Sequence, residues 1–132
     1  MPPKVRSAAD PAEWIRRALS NLARARDDSG IPEVIYEDLC FDAQQAAEKA
    51  LKAVLVARKI SFPKVHSIGH LINILTKNRI KVPLSVKRAA ILTEYAVAAR
   101  YPGITEDVGE PDYKKALKLA QTTVEWAIGM LD

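Results

Sequence analysis

The chain has 132 residues, 48% hydrophobic and 27% charged, with a net charge of +4, which indicates one globular domain with one core. A single cysteine, Cys40, excludes an intramolecular disulfide, and one Cys with two His is too few for a standard structural zinc site. Charges interrupt every apolar stretch before the roughly 20 residues of a membrane span, and we find no signal peptide. We therefore expect a cytoplasmic protein with no membrane contact, no metal and no cofactor.

The N-terminal part is predicted to be a tail over residues 1–9, followed by a helical domain over 10–132. Asp10 can cap the first helix, and Glu13 is expected to reach back and complete a capping box. Trp14 and Leu22 then recur at helical spacing, and the segment 27–30 ends the helix.

The second helix is the longest and is predicted from about Glu33 to Arg58. Its core stripe is mostly alanine and includes Cys40, which we expect to be an inert core thiol. Phe41 lies off this stripe, in one row with Gln45, Glu48 and Lys52. The row predicts a second contact surface, a dimer interface; the alternative is that Phe41 is a lone exposed apolar residue.

The rest of the chain predicts further helices. A loop around Phe62 leads to a short helix capped by Ser67. A fourth helix is predicted from Pro83 to Arg100, and a last one from about Asp112 to Met130. Because no segment alternates with period 2, the predicted fold is an all-α, up-and-down bundle of four main helices plus a shorter one.

Basic residues are concentrated in the middle of the chain. No Asp or Glu occurs between Lys49 and Thr93. The ten basic residues of that segment are Lys49, Lys52, Arg58, Lys59, Lys64, Lys77, Arg79, Lys81, Lys87 and Arg88. Such asymmetry favours a polyanion, a nucleotide or an acidic protein as the partner, although a merely solvated basic surface is the alternative.

Motifs of common enzyme classes are missing from the sequence, which has no P-loop, GxGxxG, HExxH or GxSxG. An RNase needs less, a His for acid–base chemistry and an Arg to stabilise charge on phosphate. His66, in a loop beside Lys64, could contact phosphate, or it could simply pack or cap locally. Two histidines, His66 and His70, make a poor metal site.

Four segments together resemble the HEPN family over about residues 10 to 130. In chain order they are "CFDAQQAAEKALKAVLVARK", "PKVHSIGHLI", "AARYPG" and "DYKKALKLAQTTVEWA". The resemblance implies a compact helical bundle that is commonly a homodimer. Members of the family include RNA-cleaving toxins of toxin–antitoxin systems, and others are encoded beside a minimal nucleotidyltransferase that acts as antitoxin.

Nuclease members of the family carry an Arg, four to six further residues and then a His, near the fourth helix. Arg100 occupies the Arg position, but the residues at the His positions are Thr105, Glu106 and Asp107. The resemblance therefore implies a member that does not cleave RNA and instead binds a nucleotide, a nucleic acid or a nucleotidyltransferase partner.

The candidate phosphate-binding residues are cations, a histidine and a tyrosine: Arg100, Tyr101, Lys64, His66, Lys77, Arg79 and Lys81. One alternative is a divergent RNase toxin that combines Arg100 with His66 or His70 through the fold or the dimer. Another is a structural dimer that regulates its partner, in which the row of Phe41 matters more than the basic segment.

Overall fold

The computed structural model describes residues 5–26, 30–103 and 107–132, without the side chains of 97–100, and the regular elements of these residues are all helical. The elements are α1 (Pro11–Arg26), α2 (Tyr36–Ala57), α3 (Ile68–Lys77), α4 (Leu84–Lys87), a 3-10 segment (Arg88–Leu92), α5 (Thr93–Arg100) and α6 (Glu110–Leu131). These residues contain no strand. The predicted all-α fold is confirmed, and the predicted fourth helix is a continuous run of α4, the 3-10 segment and α5.

The start of α1 differs from the predicted capping box. Asp10 does cap the helix, since its Oδ1 accepts the backbone N–H two residues on at 2.9 Å. Its own N–H, however, donates to the carbonyl of Ser7. The Glu13 carboxylate instead accepts hydrogen bonds from Arg16 and Arg17. The capping box is therefore wrong because charged donors one turn further along compete for the same carboxylate.

Helix α2 is the central element and packs against α1, α3, α5 and α6. Its alanine stripe is fully buried, as the sequence predicted, which allows the neighbouring helices to approach closely. Cys40 is also fully buried, and burial raises the pKa of its thiol to about 12. The thiol is therefore protonated at neutral pH, consistent with an inert core residue.

Helix α6 closes the bundle against the two long N-terminal helices. The Tyr113 hydroxyl donates to the backbone carbonyl of Ala25 at the end of α1. The Tyr113 ring also stacks on Tyr36 at the start of α2, with 5.4 Å between ring centroids. One side chain thus ties three helices together.

The C-terminal ends of α2 and α3 share one geometry. Lys59 and Arg79 adopt left-handed backbone angles, with φ of 57° and 64°. In each case the next N–H reaches back to a carbonyl five residues earlier, from Ile60 to Leu55 and from Ile80 to Leu75. This is the Schellman arrangement, in which glycine is the usual residue at the left-handed position, so two cations stand where glycine is favoured.

Candidate functional site

A polar cavity of about 190 Å³ lies between α2, the segment before α3, and α5. Its lining consists mainly of hydrogen-bonding side chains: Gln44, Gln45, Glu48, His66, Ser67, Thr93, Ala96 and Tyr101. Three separate parts of the sequence therefore meet at one site, which we call the polar cavity.

A row of polar residues on α2 supplies one wall of the polar cavity, which Gln44 and Glu48 line and Lys52 supports through Glu48. Gln44, Glu48 and Lys52 are spaced four residues apart and are all buried. The Gln44 amide donates to Glu48 Oε1 at 3.0 Å, and Lys52 Nζ lies 2.9 Å from Glu48 Oε2. Burial alone would raise the pKa of Glu48, but the hydrogen bonds from Lys52 and Gln44 outweigh it and hold that pKa below its ordinary value. Glu48 is therefore ionised, and its negative charge is balanced by the ammonium of Lys52.

His66 is held at the rim of the polar cavity by this carboxylate. Its Nδ1 lies 3.2 Å from Glu48 Oε2. Because Glu48 is ionised, Nδ1 carries the proton and donates, which leaves Nε2 for another partner. The His66 side chain is 70% exposed, so the open edge of the ring faces a place that a ligand can reach.

One polar atom of Gln44 has no partner in the part of the chain that the structure describes. Its Nε2 donates both to Glu48 and to the backbone carbonyl of His66. Because both of these partners are acceptors, the amide atom that faces them is the nitrogen, and the other amide atom is the oxygen Oε1. Oε1 is buried and has no hydrogen-bond partner among the described residues. An unpaired buried acceptor costs free energy, and a ligand or water that donates to it would recover that cost.

The opposite wall is fixed by the start of α3. Ser67 Oγ accepts the backbone N–H of His70 at 3.2 Å, which confirms the predicted cap. The backbone N–H of Ile68, the first residue of α3, donates to Thr93 Oγ1 at 3.1 Å and so joins α3 to α5. Tyr101, directly after α5, completes the lining with a side chain that is 55% exposed.

A second cavity, of about 210 Å³, lies beside α1 and is bounded by Arg6, Ala8, Glu13, Trp14, Arg17 and Lys49. We call it the basic cavity. Glu13 is buried and accepts from Arg16 at 2.7 Å and from Arg17 at 2.9 Å, while Arg6 lies 3.7 Å away. The hydrogen bonds from Arg16 and Arg17 lower the pKa of Glu13 to about 2. One carboxylate thus gathers three guanidinium groups.

Lys49 brings α2 to the basic cavity. Its Nζ donates to Asn21 Oδ1 at 2.7 Å, and the Asn21 amide donates to Asp42 Oδ1 at 3.1 Å. Burial lowers the pKa of Lys49, and the charge of Arg17 adds to this effect. The Lys49 ammonium is therefore partly buried, and it lines the same cavity as Arg17.

Lys52 connects the two cavities. Besides its ion pair with Glu48, its Nζ lies 5.7 Å from the ring centroid of Trp14 and 5.9 Å from that of Phe62. Both distances are within the range of a cation–π interaction. A buried cation thus contacts the carboxylate of one cavity and the indole of the other.

Comparison with known proteins identifies the family. The HEPN domain family model matches residues 11–130. The chain belongs to the HEPN domain family. The crystal structure of TT1696 from Thermus thermophilus is 31% identical, with a TM-score of 0.79 over 92% of this chain and 98% of that one. ST0689, an archaeal HEPN homologue, is 28% identical, with a TM-score of 0.73 over 93% of this chain and 98% of that one. No curated protein matches.

Two of the predicted phosphate-binding residues meet in this HEPN domain. His66 and Tyr101 line the polar cavity together, although 35 positions separate them. Arg100 directly precedes Tyr101 at the end of α5, and its side chain lies outside the described residues. The other predicted residues are exposed and line neither cavity: Lys64, Lys77, Arg79 and Lys81. A role for them in phosphate binding stays a prediction.

Part of the predicted interface row is used for contacts within the chain. Glu48 and Lys52 are buried against each other, which leaves them little surface for a partner. Gln45 lines the polar cavity, and Phe41 is partly buried. A dimer interface therefore stays a prediction that Phe41 and Gln45 would have to carry.

Several residues of the two cavities escaped the sequence reasoning. Gln44 could have been noticed from the four-residue spacing that it shares with Glu48 and Lys52 on an alanine-rich helix. The arginines of α1 lie outside the basic segment between Lys49 and Thr93, so the charge pattern along the sequence did not indicate them. Only the fold brings Arg17 of α1 next to Lys49 of α2.

Two other kinds of site are absent from the described ranges. They hold no group of three or more His, Cys, Asp or Glu side chains that could bind a metal ion. In the same ranges, no helix combines the length and the apolar character that crossing a bilayer requires. His70 is exposed on α3 and does not join His66 at the polar cavity.

Proposed function

We propose that this chain is a non-catalytic HEPN protein that binds a nucleotide in the polar cavity. The observation that carries the proposal is the meeting of His66 and Tyr101 in a cavity that Gln44 also lines, and the buried Oε1 of Gln44 has no partner among the described residues. Pockets with a few convergent polar groups are the usual places for small ligands.

The chemistry of the lining favours a nucleotide over a simple anion. The charge of Glu48 is balanced by Lys52, so the described wall offers hydrogen bonds rather than excess positive charge. A nucleobase supplies amino groups for Gln44 Oε1 and a flat face for the Tyr101 ring. The exposed edge of His66 is then the group that meets the phosphate.

The absence of a histidine after Arg100 supports a binding role. Residues 105–107 are Thr, Glu and Asp in the sequence, so the motif that the resemblance to nuclease members requires is incomplete. Carboxylates at these positions would also repel a phosphodiester. Of the three, Asp107 is described by the structure and is exposed, whereas Thr105 and Glu106 lie outside the described residues.

Titration of AMP into the purified protein by calorimetry tests the proposal. We expect saturable binding, and His66→Ala should weaken it about five-fold, as expected for a lost hydrogen bond of about 1 kcal/mol. The matched control is His70→Ala, because His70 is exposed and does not line the cavity. Absence of AMP binding, or equal weakening by both changes, would contradict the proposal.

A second candidate function is RNA cleavage, and one observation favours it. Glu48 fixes Nδ1 of His66 and leaves Nε2 open, which is how a general base is oriented. His66 also shares the cavity with Tyr101, the residue after Arg100. A divergent RNase of this kind would cut a fluorogenic RNA and inhibit growth on expression, and Arg100→Ala would abolish both effects. Harmless expression and an intact RNA would exclude it.

The proposal extends to partners typical of the family. We propose a homodimer that assembles with a minimal nucleotidyltransferase, as a component of a toxin–antitoxin pair. Co-purification from the native host should recover the nucleotidyltransferase in equal amount. Phe41→Asp should convert the dimer into monomers by light scattering, and a dimer that survives this change would exclude the interface on α2.

A further inference from the structure

A buried carboxylate, that of Glu13, holds the arginines around the basic cavity in place. Glu13 is buried, yet the guanidinium groups around it keep much of their surface, at 44% exposed for Arg6, 54% for Arg16 and 60% for Arg17. The carboxylate thus orders the arginines while their outer N–H groups stay accessible. Ordered guanidinium forks are suited to oxyanions, which they bind in a bidentate manner.

The charges at this place are unbalanced. Arg6, Arg16 and Arg17 pair with Glu13, and Lys49 lines the same cavity. The nearby carboxylate of Asp42 accepts from Asn21 and lies 3.5 Å from Arg24. Burial is the main cause of the lowered pKa of Lys49, and the neighbouring charge of Arg17 lowers it further. A bound anion would relieve the repulsion among these cations.

Trp14 adds an aromatic wall to the cations. Its indole N–H donates to the Ala8 carbonyl at 2.8 Å, which holds the N-terminal segment over the cavity. Phe62 packs edge-on against the indole ring, with 6.5 Å between centroids. An ordered aromatic ring beside several cations is the combination that binds phosphate compounds carrying a base.

We propose that the basic cavity is a binding site for a phosphate group, bounded by Arg6, Arg17, Lys49 and Trp14. The site is separate from the polar cavity and does not depend on the function proposed for it. The phosphate can belong to a free nucleotide or to the backbone of a single-stranded RNA, because both present the same oxyanion to the guanidinium groups.

The test uses the full chain with Trp126→Phe, which leaves Trp14 as its only tryptophan. Sodium tripolyphosphate does not absorb where tryptophan emits, so its binding can be followed by Trp14 fluorescence. We expect a saturable change that weakens with salt. Arg17→Gln and Lys49→Gln should each weaken binding about ten-fold, whereas Lys118→Gln, at an exposed lysine on α6, should leave it unchanged.

Further binding measurements distinguish the two sources of the phosphate and separate the basic cavity from the polar cavity. Only the binding that Arg17→Gln weakens is assigned to the basic cavity. There, a ten-nucleotide RNA that binds at least ten-fold tighter than AMP supports a nucleic acid, and comparable binding supports a nucleotide. If Lys49→Gln proves unfolded by circular dichroism, Arg6→Gln, outside the helices, replaces it. His66→Ala should leave tripolyphosphate binding unchanged. Equal binding by Arg17→Gln and the parent, or no response to any of the three ligands, would overturn the proposal.

Discussion

The polar cavity and the basic cavity both take side chains from the same two turns of α2, yet they differ in charge balance. In the first, the carboxylate of Glu48 is matched by Lys52, and hydrogen bonding dominates. In the second, the carboxylate of Glu13 is outnumbered by arginines. A matched pair leaves a neutral wall suited to a base, whereas an unmatched cluster is suited to an oxyanion.

The largest effect should follow from breaking the matched pair. Lys52→Met leaves Glu48 as a buried carboxylate without its cation, which should lower the free energy of unfolding by about 3 kcal/mol. Urea unfolding at pH 7 measures the change. Lys118→Met on α6 is the control and should stay within about 0.5 kcal/mol of the parent, because it is exposed. If Lys52→Met lowers the free energy of unfolding as little as Lys118→Met does, the Glu48–Lys52 pair is not buried as described.

A smaller, pH-dependent effect should come from the unmatched cluster. The pKa of Glu13 is lowered from 4.5 to about 2, so its stabilising contribution is full above pH 4.5 and is lost as the pH falls towards 2. Glu13→Gln should therefore be less stable than the parent at pH 7, and the difference should shrink by pH 2. Unfolding curves at several pH values measure this.

Glu125→Gln is the matched control, because Glu125 is exposed on α6. If the difference in the free energy of unfolding between Glu13→Gln and the parent stays constant from pH 7 to pH 2, the account of the arginine cluster is contradicted.

The smallest effect should come from a cation outside both cavities. Arg79 has a left-handed backbone at the end of α3, where glycine is usual. Arg79→Gly should therefore raise the free energy of unfolding by about 0.5 to 1 kcal/mol. It should also leave AMP and tripolyphosphate binding unchanged, since Arg79 lines neither cavity. Weaker binding of either ligand would show that the cations after α3 belong to a site.

Local sequence signals predicted most of the fold. Helical spacing, the Ser67 cap and the alanine stripe of α2 depend on neighbours within a few residues, and the structure agrees with them. The capping box at Glu13 was wrong because arginines on the next turn compete for the carboxylate. The outcome of that competition depends on how far the arginine side chains extend towards Glu13, which the pattern of residue types along the sequence does not predict.

The candidate sites were less accessible to sequence reasoning. Three basic residues of segment 49–93 have different surroundings: Lys49 joins Arg17 of α1, Lys52 is buried, and Lys77 lies at the exposed end of α3. His66 was singled out as a loop residue, but its contact with Glu48 arises only when the loop before α3 folds onto α2.

The most direct test of the account is a crossed titration of two ligands into two variants. AMP and tripolyphosphate are titrated into His66→Ala and Arg17→Gln, and the dissociation constants are compared with those of the parent. We predict that His66→Ala weakens only AMP at the polar cavity and that Arg17→Gln weakens tripolyphosphate much more than AMP. Equal weakening of both ligands by both variants would contradict two chemically distinct sites on α2.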